Sequence, residues 1–213
     1  MSWKIEKPNE FMCTESWYLI KGKKYTRVTK VNSIIAKPEL NSWYARQGMD
    51  AAKKTMKTRA DFGSLMHKSI EVLLKGEEIH TENYDKLLID DLELFREWQK
   101  ENDVEVEAIE QHLWSDKYLY AGTCDCIAKV NGKLLILDWK TSKAIYPEYF
   151  LQLAAYVMAF EEQTGIKVKG VGILRMRDGK KEFIEKSYAE IKQEFEVFLA
   201  AMKIYNWKYG DNK

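Results

Sequence analysis

The sequence predicts an α/β or α+β sandwich, a sheet with helices packed on it. Three observations point there. The run Leu134-Leu135-Ile136-Leu137 is apolar without alternation, as in a central strand buried on both faces. Asn131-Gly132 and Arg177-Asp178-Gly179 each sit between strand-like segments as hairpin turns. On either side, apolar residues recur with the 3.6-residue period of amphipathic helices.

Taken in order, the first 20 residues are aromatic-rich (Trp3, Phe11, Trp17, Tyr18) and expected to be irregular or loosely strand-like, with a short strand from Tyr25 to Thr29. Helical spacing begins at Ser33 and runs through Ile34, Ile35, Leu40, Trp43 and Tyr44, with Pro38-Glu39 opening a second helix. A helix from about Asp61 to Lys75 carries Phe62, Leu65, Met66, Ile70 and Leu73 and stops at Gly76. Tyr84 to Lys100 follows as another. The period then falls to two. Val104, Val106 and Ala108 alternate with acidic residues, Tyr118 to Val130 forms a second strand, and Lys133 to Lys140 a third. A helix over Tyr149 to Glu162, strands Val168 to Met176 and Lys181 to Glu185, and a helix from Tyr188 to Trp207 complete the order.

Composition narrows the classes. With 213 residues, 46% hydrophobic and 31% charged, the chain suits one well-packed domain over 1–213. No run approaches the roughly 18 apolar residues of a membrane span, so no membrane partner is expected. The start, Met1 to Glu6, lacks a signal-peptide core, from which a cytoplasmic location is expected. Three cysteines are too few for a disulfide framework or for the four thiolates of an iron–sulfur cluster. Cys124 and Cys126 are expected to fill one face of a strand. Net charge is +1, but it is unevenly spread: residues 1–60 carry 13 Lys/Arg against 5 Asp/Glu, and residues 61–125 carry 6 against 17. The basic, helical N-terminal portion (about 1–60) is expected to pack on the core and to offer an anion-binding surface.

The chemistry concentrates between Gly122 and Tyr156. Asp125 is read in a short Gly-Thr-Cys-Asp turn. Asp138 and Lys140 are two apart on a strand, so their side chains share a face. An isolated Asp-x-Lys is an ordinary salt bridge. Here the Asn131-Gly132 hairpin sets Asp125 and Asp138 at equal distances from the turn, so two carboxylates can converge on a hard divalent cation. Lys140 beside them can orient or deprotonate a water, or stabilise phosphate charge. Gln152 and Tyr156, at i and i+4, share one helix face.

The ordered pattern Gly122-x-x-Asp125, apolar strand, Asp138-x-Lys140, Gln152-x-x-x-Tyr156 resembles the PD-(D/E)XK nuclease superfamily, and more narrowly its RecB-type branch. Gly63-Ser64-Leu65-Met66-His67 is similar to that branch's Gly-Thr-x-x-His element, with serine in place of threonine. The likeness covers roughly residues 60–160. Val28-Thr29 and the Trp43-Tyr44-Ala45 helix also look like phage-type and mitochondrial-type members. The resemblance implies a restriction-endonuclease-like α/β fold with a central mixed sheet of about four strands flanked by helices. It implies metal-dependent phosphodiester cleavage, most simply by a stand-alone exonuclease on single-stranded or duplex DNA ends. No Walker Gly-x-x-x-x-Gly-Lys accompanies it.

On that resemblance Asp125, Asp138, the Trp139 backbone carbonyl and His67 hold one or two Mg²⁺ or Mn²⁺ ions, with Glu71 one helical turn from His67 a further candidate. Glu110 is a weaker one among many glutamates. Lys140 positions water, and Gln152 and Tyr156 orient Lys140 or touch the DNA backbone. Lys23, Lys24, Arg27, Lys30, Arg46, Lys53, Lys54, Lys57 and Arg59 are candidates for phosphate contacts, and Trp43 or Tyr44 for stacking on an unpaired base. A single-strand annealing protein is the kind of partner the resemblance leaves open. An endonuclease on the same scaffold and a non-catalytic DNA-binding protein are the alternatives.

Overall fold

The computed structural model describes residues 3–8, 10–80, 82 and 84–210. Its strands are β1 (Phe11–Cys13), β2 (Trp17–Ile20), β3 (Lys23–Arg27), β4 (Val104–Ser115), β5 (Tyr120–Val130), β6 (Lys133–Lys140), β7 (Gly170–Arg177) and β8 (Lys180–Ser187). Its helices are α1 (Val28–Asn32), α2 (Pro38–Gln47), α3 (Met49–Leu74), α4 (Lys86–Glu101), α5 (Pro147–Thr164) and α6 (Tyr188–Tyr209). Among the described residues no helix is long and apolar enough to cross a membrane.

The strands form one mixed sheet of eight, in the order β1-β2-β3-β5-β6-β7-β8 with β4 paired to β5. It is twice as wide as the four central strands expected. The added width comes mainly from residues 11–27, an antiparallel meander that takes the strand-like of the two readings of the opening residues. The expected Tyr25–Thr29 strand ends at Arg27 because Val28 opens α1. Two apolar clusters sandwich the sheet. One holds Met66 and Ile70 of α3 and Leu88, Leu92, Phe95 and Trp98 of α4. The other holds the buried faces of α5 and α6, from Phe150 to Phe160 and Ile191 to Met202.

β6 shows how the sequence positions a site. Leu135, Leu137 and Trp139 enter the α3–α4 cluster while Ile136 enters the other, so the apolar run is buried on both faces. Trp139 lies edge-on to Phe95 at 5.3 Å and Trp98 at 5.8 Å, which locks the strand end. Alternation then sends Asp138 and Lys140 the other way. Asn131 and Gly132 turn with φ of 51° and 78°, the left-handed pair that a two-residue hairpin requires.

β5 has β4 along one edge and two partners on the other. β3 pairs with Tyr120 and Ala121, and β6 with Cys126 onward. Residues 122–125 between them have no strand partner on that edge, so Gly122 to Asp125 lies within a strand, opposite a gap, rather than in a turn.

Asp91 is the feature of α4 that packing does not explain. It is buried, and neither carboxylate oxygen has a hydrogen-bond partner among the described residues. Burial raises its pKa above the usual carboxylate value. A raised carboxyl pKa means that the ionised form opposes folding, so stability falls as pH climbs above the unfolded value. Asp91→Asn is therefore expected to raise the melting temperature at pH 7–8. The gain should vanish in acid, where Asp91 is protonated in both states; thermal melts across pH check this.

Candidate active site

Four elements converge at the gap beside β5. From β6, the Lys140 ammonium donates to Asp138 Oδ1 at 2.7 Å and lies 2.5 Å from Oδ2. It also sits over the Tyr149 ring of α5, 4.8 Å from the centroid. From β5, Asp125 Oδ2 accepts the Trp139 amide at 2.8 Å. From α3, His67 Nδ1 stands 3.3 Å from that same oxygen. α3 comes close to the end of β6 at Gly63, where a Cβ would lie 3.3 Å from Thr141 Oγ1. The His67 helix thus packs over the strand ends.

β4 contributes the residue that sequence reasoning ranked low. Ligand atoms of His67, Glu110 and Asp125 all lie within 4.8 Å of one another. Glu110 has φ of +50°, a left-handed backbone that a β-strand residue adopts only under constraint. β4 and β5 exchange faces at this point. Cys124 packs with the α5–α6 cluster and Cys126 with the α3–α4 cluster, so the two do not share a face as strict alternation would require. The sequence carries a trace of the break: after Glu105 and Glu107 the polar phase slips from 109 to Glu110.

The electrostatics follow from burial among opposite charges. Burial pushes the Asp138 carboxyl up to about 6, with the Asp125 charge adding and Lys140 opposing. Burial would lower the Lys140 pKa, but the Asp138 and Asp125 carboxylates outweigh it and raise the pKa. Lys140 is therefore an ammonium, suited to stabilising negative charge rather than to deprotonating water. Burial acts against the His67 cation, yet Asp125 overcomes it and raises that pKa too. Burial acts likewise on Asp125, where His67, Lys140 and the Trp139 amide hold the carboxyl low. Glu110 reaches solvent, but partial burial and then the Asp125 charge lift it to about 7.

One imidazole and two carboxylates form a nitrogen–oxygen donor set that fits a hard or borderline divalent cation such as Mg²⁺ or Mn²⁺. Asp138 is engaged by Lys140 and stands outside this trio. The Trp139 amide, not its carbonyl, is the backbone group seen at Asp125. Glu71 pairs with Lys75 at 2.5 Å and is not among the three residues whose ligand atoms converge.

Gln152 and Tyr156 act on the strand rather than on solvent. Gln152 Nε2 donates to Tyr156 Oη at 3.1 Å. Tyr156 is 2% exposed, too deeply buried to touch DNA. A Cβ on Gly122 would meet Tyr156 Cε1 at 2.5 Å, so the glycine is the space into which the phenol fits. The α5 residue seen against Lys140 is Tyr149, one turn before Gln152 and unmarked by the sequence reading.

The expected phosphate-binding residues divide into two groups. Arg46, Lys53, Lys54, Lys57 and Arg59 are exposed on α2 and the first half of α3, the helix that goes on to His67, with Trp43 and Tyr44 in edge contact at 5.5 Å. Lys23, Lys24, Arg27 and Lys30 lie on β3 and α1. There Arg27 is held by the Thr14 carbonyl at 2.9 Å and Lys30 by Glu15 at 2.5 Å.

Human mitochondrial genome maintenance exonuclease 1 is 30% identical over 128 residues, covering 55% of this chain and 37% of that protein. The mouse protein of the same name is 30% identical over 83 residues, covering 35% and 25%. The chain thus spans little more than a third of the human relative's length. Among solved structures, an alkaline exonuclease from Laribacter hongkongensis aligns with a TM-score of 0.38 at 13% identity, over 84% of this chain and 88% of that one. The family model of the PD-(D/E)XK nuclease superfamily matches residues 41–205, which include His67, Glu110, Asp125, Asp138, Lys140 and Tyr156. The chain belongs to the PD-(D/E)XK nuclease superfamily.

Proposed function

We propose that the chain is a divalent-metal-dependent deoxyribonuclease that hydrolyses phosphodiester bonds from DNA ends, in recombination, repair or replication. The observation that carries this reading is the His67–Glu110–Asp125 donor trio set against the buried Lys140–Asp138 pair at the end of β6. Family membership favours phosphodiester cleavage, and the exonuclease names of the relatives favour ends over internal sites. The whole chain works as one nuclease domain, since β3 from its basic N-terminal portion pairs directly with β5. Its three unpaired cysteines suit a reducing compartment such as the cytoplasm.

His67, Glu110 and Asp125 would hold a divalent ion, with Asp138 beside them as the partner of Lys140. Such an ion, when bound, supplies Lewis-acid polarisation of the phosphate and an acidified water. Lys140, fixed between Asp138 and the Tyr149 ring, offsets charge on the phosphoryl oxygens as it develops. Gln152 and Tyr156 keep α5 seated on Gly122, so that Tyr149 keeps Lys140 in place. The α2–α3 cations, with Trp43 and Tyr44, guide the strand to the site.

End-labelled linear DNA and a covalently closed circle of the same sequence, incubated with Mg²⁺ or Mn²⁺, test the reading. The linear substrate is expected to be digested and the circle spared. Cleavage of the circle would point to the endonuclease, and no cleavage of either to a binding protein. His67→Ala and Glu110→Gln are each expected to raise the metal concentration needed for activity by roughly tenfold or more. Glu71→Gln should leave it unchanged, because Glu71 serves Lys75.

A further inference from the structure

Away from the donor trio, a groove of about 740 Å³ opens between the β2–β3 hairpin, the turn before β5 and the last turns of α6. Trp17, Tyr118, Tyr205 and Tyr209 line it, together with Lys24 and Lys30, and no acidic side chain is among its lining residues. Its rings and cations are juxtaposed. The Lys24 ammonium lies 5.6 Å from the centre of the Trp17 ring, and the Tyr205 and Tyr209 rings, one helical turn apart, lie 5.2 Å from each other at a tilt of 50°. Tyr209 is 56% exposed, an unusual setting for an aromatic ring with no apolar layer to join. Lys117 and Lys208 approach the rings of Tyr118 and Tyr209 at 4.8 and 5.0 Å and extend the positive field at the rim. Lys30 is countered by Glu15, whose side chain is 88% exposed, and a phosphate can displace so weakly held a partner.

We propose that this groove binds single-stranded nucleic acid, with bases stacked on Trp17, Tyr118, Tyr205 and Tyr209 and phosphates held by Lys24 and Lys30. Aromatic faces interleaved with cations are what an unpaired strand requires, since every base has a face to stack and every linkage a charge to neutralise. A duplex hides those faces. The position fits a strand that also reaches the nuclease centre. The groove adjoins Tyr120, five residues before Asp125 on β5 and so roughly 17 Å from it along the strand. It gives Lys24 and Lys30, two of the second group of basic residues, a substrate segment of their own. The inference rests on the nuclease reading for its purpose, though not for its measurement.

The test is fluorescence anisotropy of a labelled oligothymidylate in EDTA, where no metal-dependent cleavage can occur. Tyr209→Ala, at the exposed end of α6, is expected to weaken binding about fivefold or more, and Trp17→Ala similarly. Tyr209→Phe, which keeps the stacking face, should bind like the parent. Lys24→Glu should reduce both affinity and its dependence on salt. Parent-like binding by Tyr209→Ala and Trp17→Ala would overturn the proposal. So would equal binding of a duplex with equal sensitivity to these variants, or displacement of the oligonucleotide by an equal concentration of a mononucleotide. The digestion assay on linear DNA, run in parallel, separates the two readings. Groove-dependent binding by a protein that cuts nothing leaves the groove standing and removes the nuclease. Cutting by a protein whose groove variants bind normally does the reverse.

Discussion

Lys140→Ala is expected to slow digestion of linear DNA by about 10²- to 10³-fold at saturating Mg²⁺ or Mn²⁺, the loss typical of removing one charge-stabilising donor from an enclosed site. The ammonium is the only cation within hydrogen-bonding distance of Asp138 among the described residues, and Tyr149 holds it from the other side. The substitution also leaves Asp138 buried without its counter-charge, a change that destabilises many folds. Here a proton can take the place of the lysine. The Asp138 carboxyl already lies up at about 6, and losing Lys140 pushes it higher, which favours the neutral acid. Because the folded-state pKa is raised, the variant should be well folded near pH 6 and lose stability as pH rises. Circular dichroism melts at several pH values, beside the digestion assay, separate lost chemistry from lost structure. Parent-like cutting by a folded Lys140→Ala protein would remove Lys140 from the catalytic machinery.

Gly122→Ala is expected to damage stability and activity together. The new Cβ would stand 2.5 Å from Tyr156 Cε1 and 2.9 Å from its hydroxyl. That ring cannot swing aside, because it is buried and bonded to Gln152. The expected destabilisation is about 1–3 kcal/mol, as for overpacked cores generally. Activity should fall further than stability explains, by about 10²-fold, because displaced α5 carries Tyr149 away from Lys140. A double-mutant cycle with Tyr156→Ala distinguishes a steric cause from a backbone one. If the ring is the obstacle, Tyr156→Ala will cost less in the Gly122→Ala protein than in the parent. Additive losses would mean that Gly122 is needed for its backbone and not for the space it leaves.

What could be read from the sequence followed the strength of local periodicity. β6 is found at its predicted bounds because four consecutive apolar residues have no partner but a core on each side. Asp138 and Lys140 share a face as the alternation required, and His67 meets Asp125 as the motif order implied. The bounds of the three N-terminal strands were obscured by their length, three to five residues each, too short to show a period. α3 begins at Met49 rather than Asp61 because its first half is polar around most of its circumference, with Ala52 its one buried residue before Met66. Such a stretch gives no amphipathic signal and is helical by continuation from the packed half. Glu110 was ranked low for the opposite reason. Alternation was clear on both sides of it, but the slip between the two phases is itself the site. Tyr149 had no signal at all, since an aromatic residue in the first turn of a buried helix reads as core.

The exchange of faces at Glu110 and Asp125 bears on how this chain tolerates change. Two metal-competent carboxylates hang on the pivot where a two-stranded ribbon turns over, so catalysis and architecture occupy one address. A deletion or insertion that restored regular pleating would not simply retire one ligand. It would deliver Cys126, Ala128 and Val130 to the wrong helical layer, and the core would fail along with the chemistry. Backbone changes at this point are therefore purged as misfolding before they can be selected as loss of activity. A catalytically dead but intact descendant is reachable only through side-chain replacements such as those at Lys140 or His67. Transplanting the donors onto a flat hairpin should fail for the same reason: the kink places them, not the residues alone.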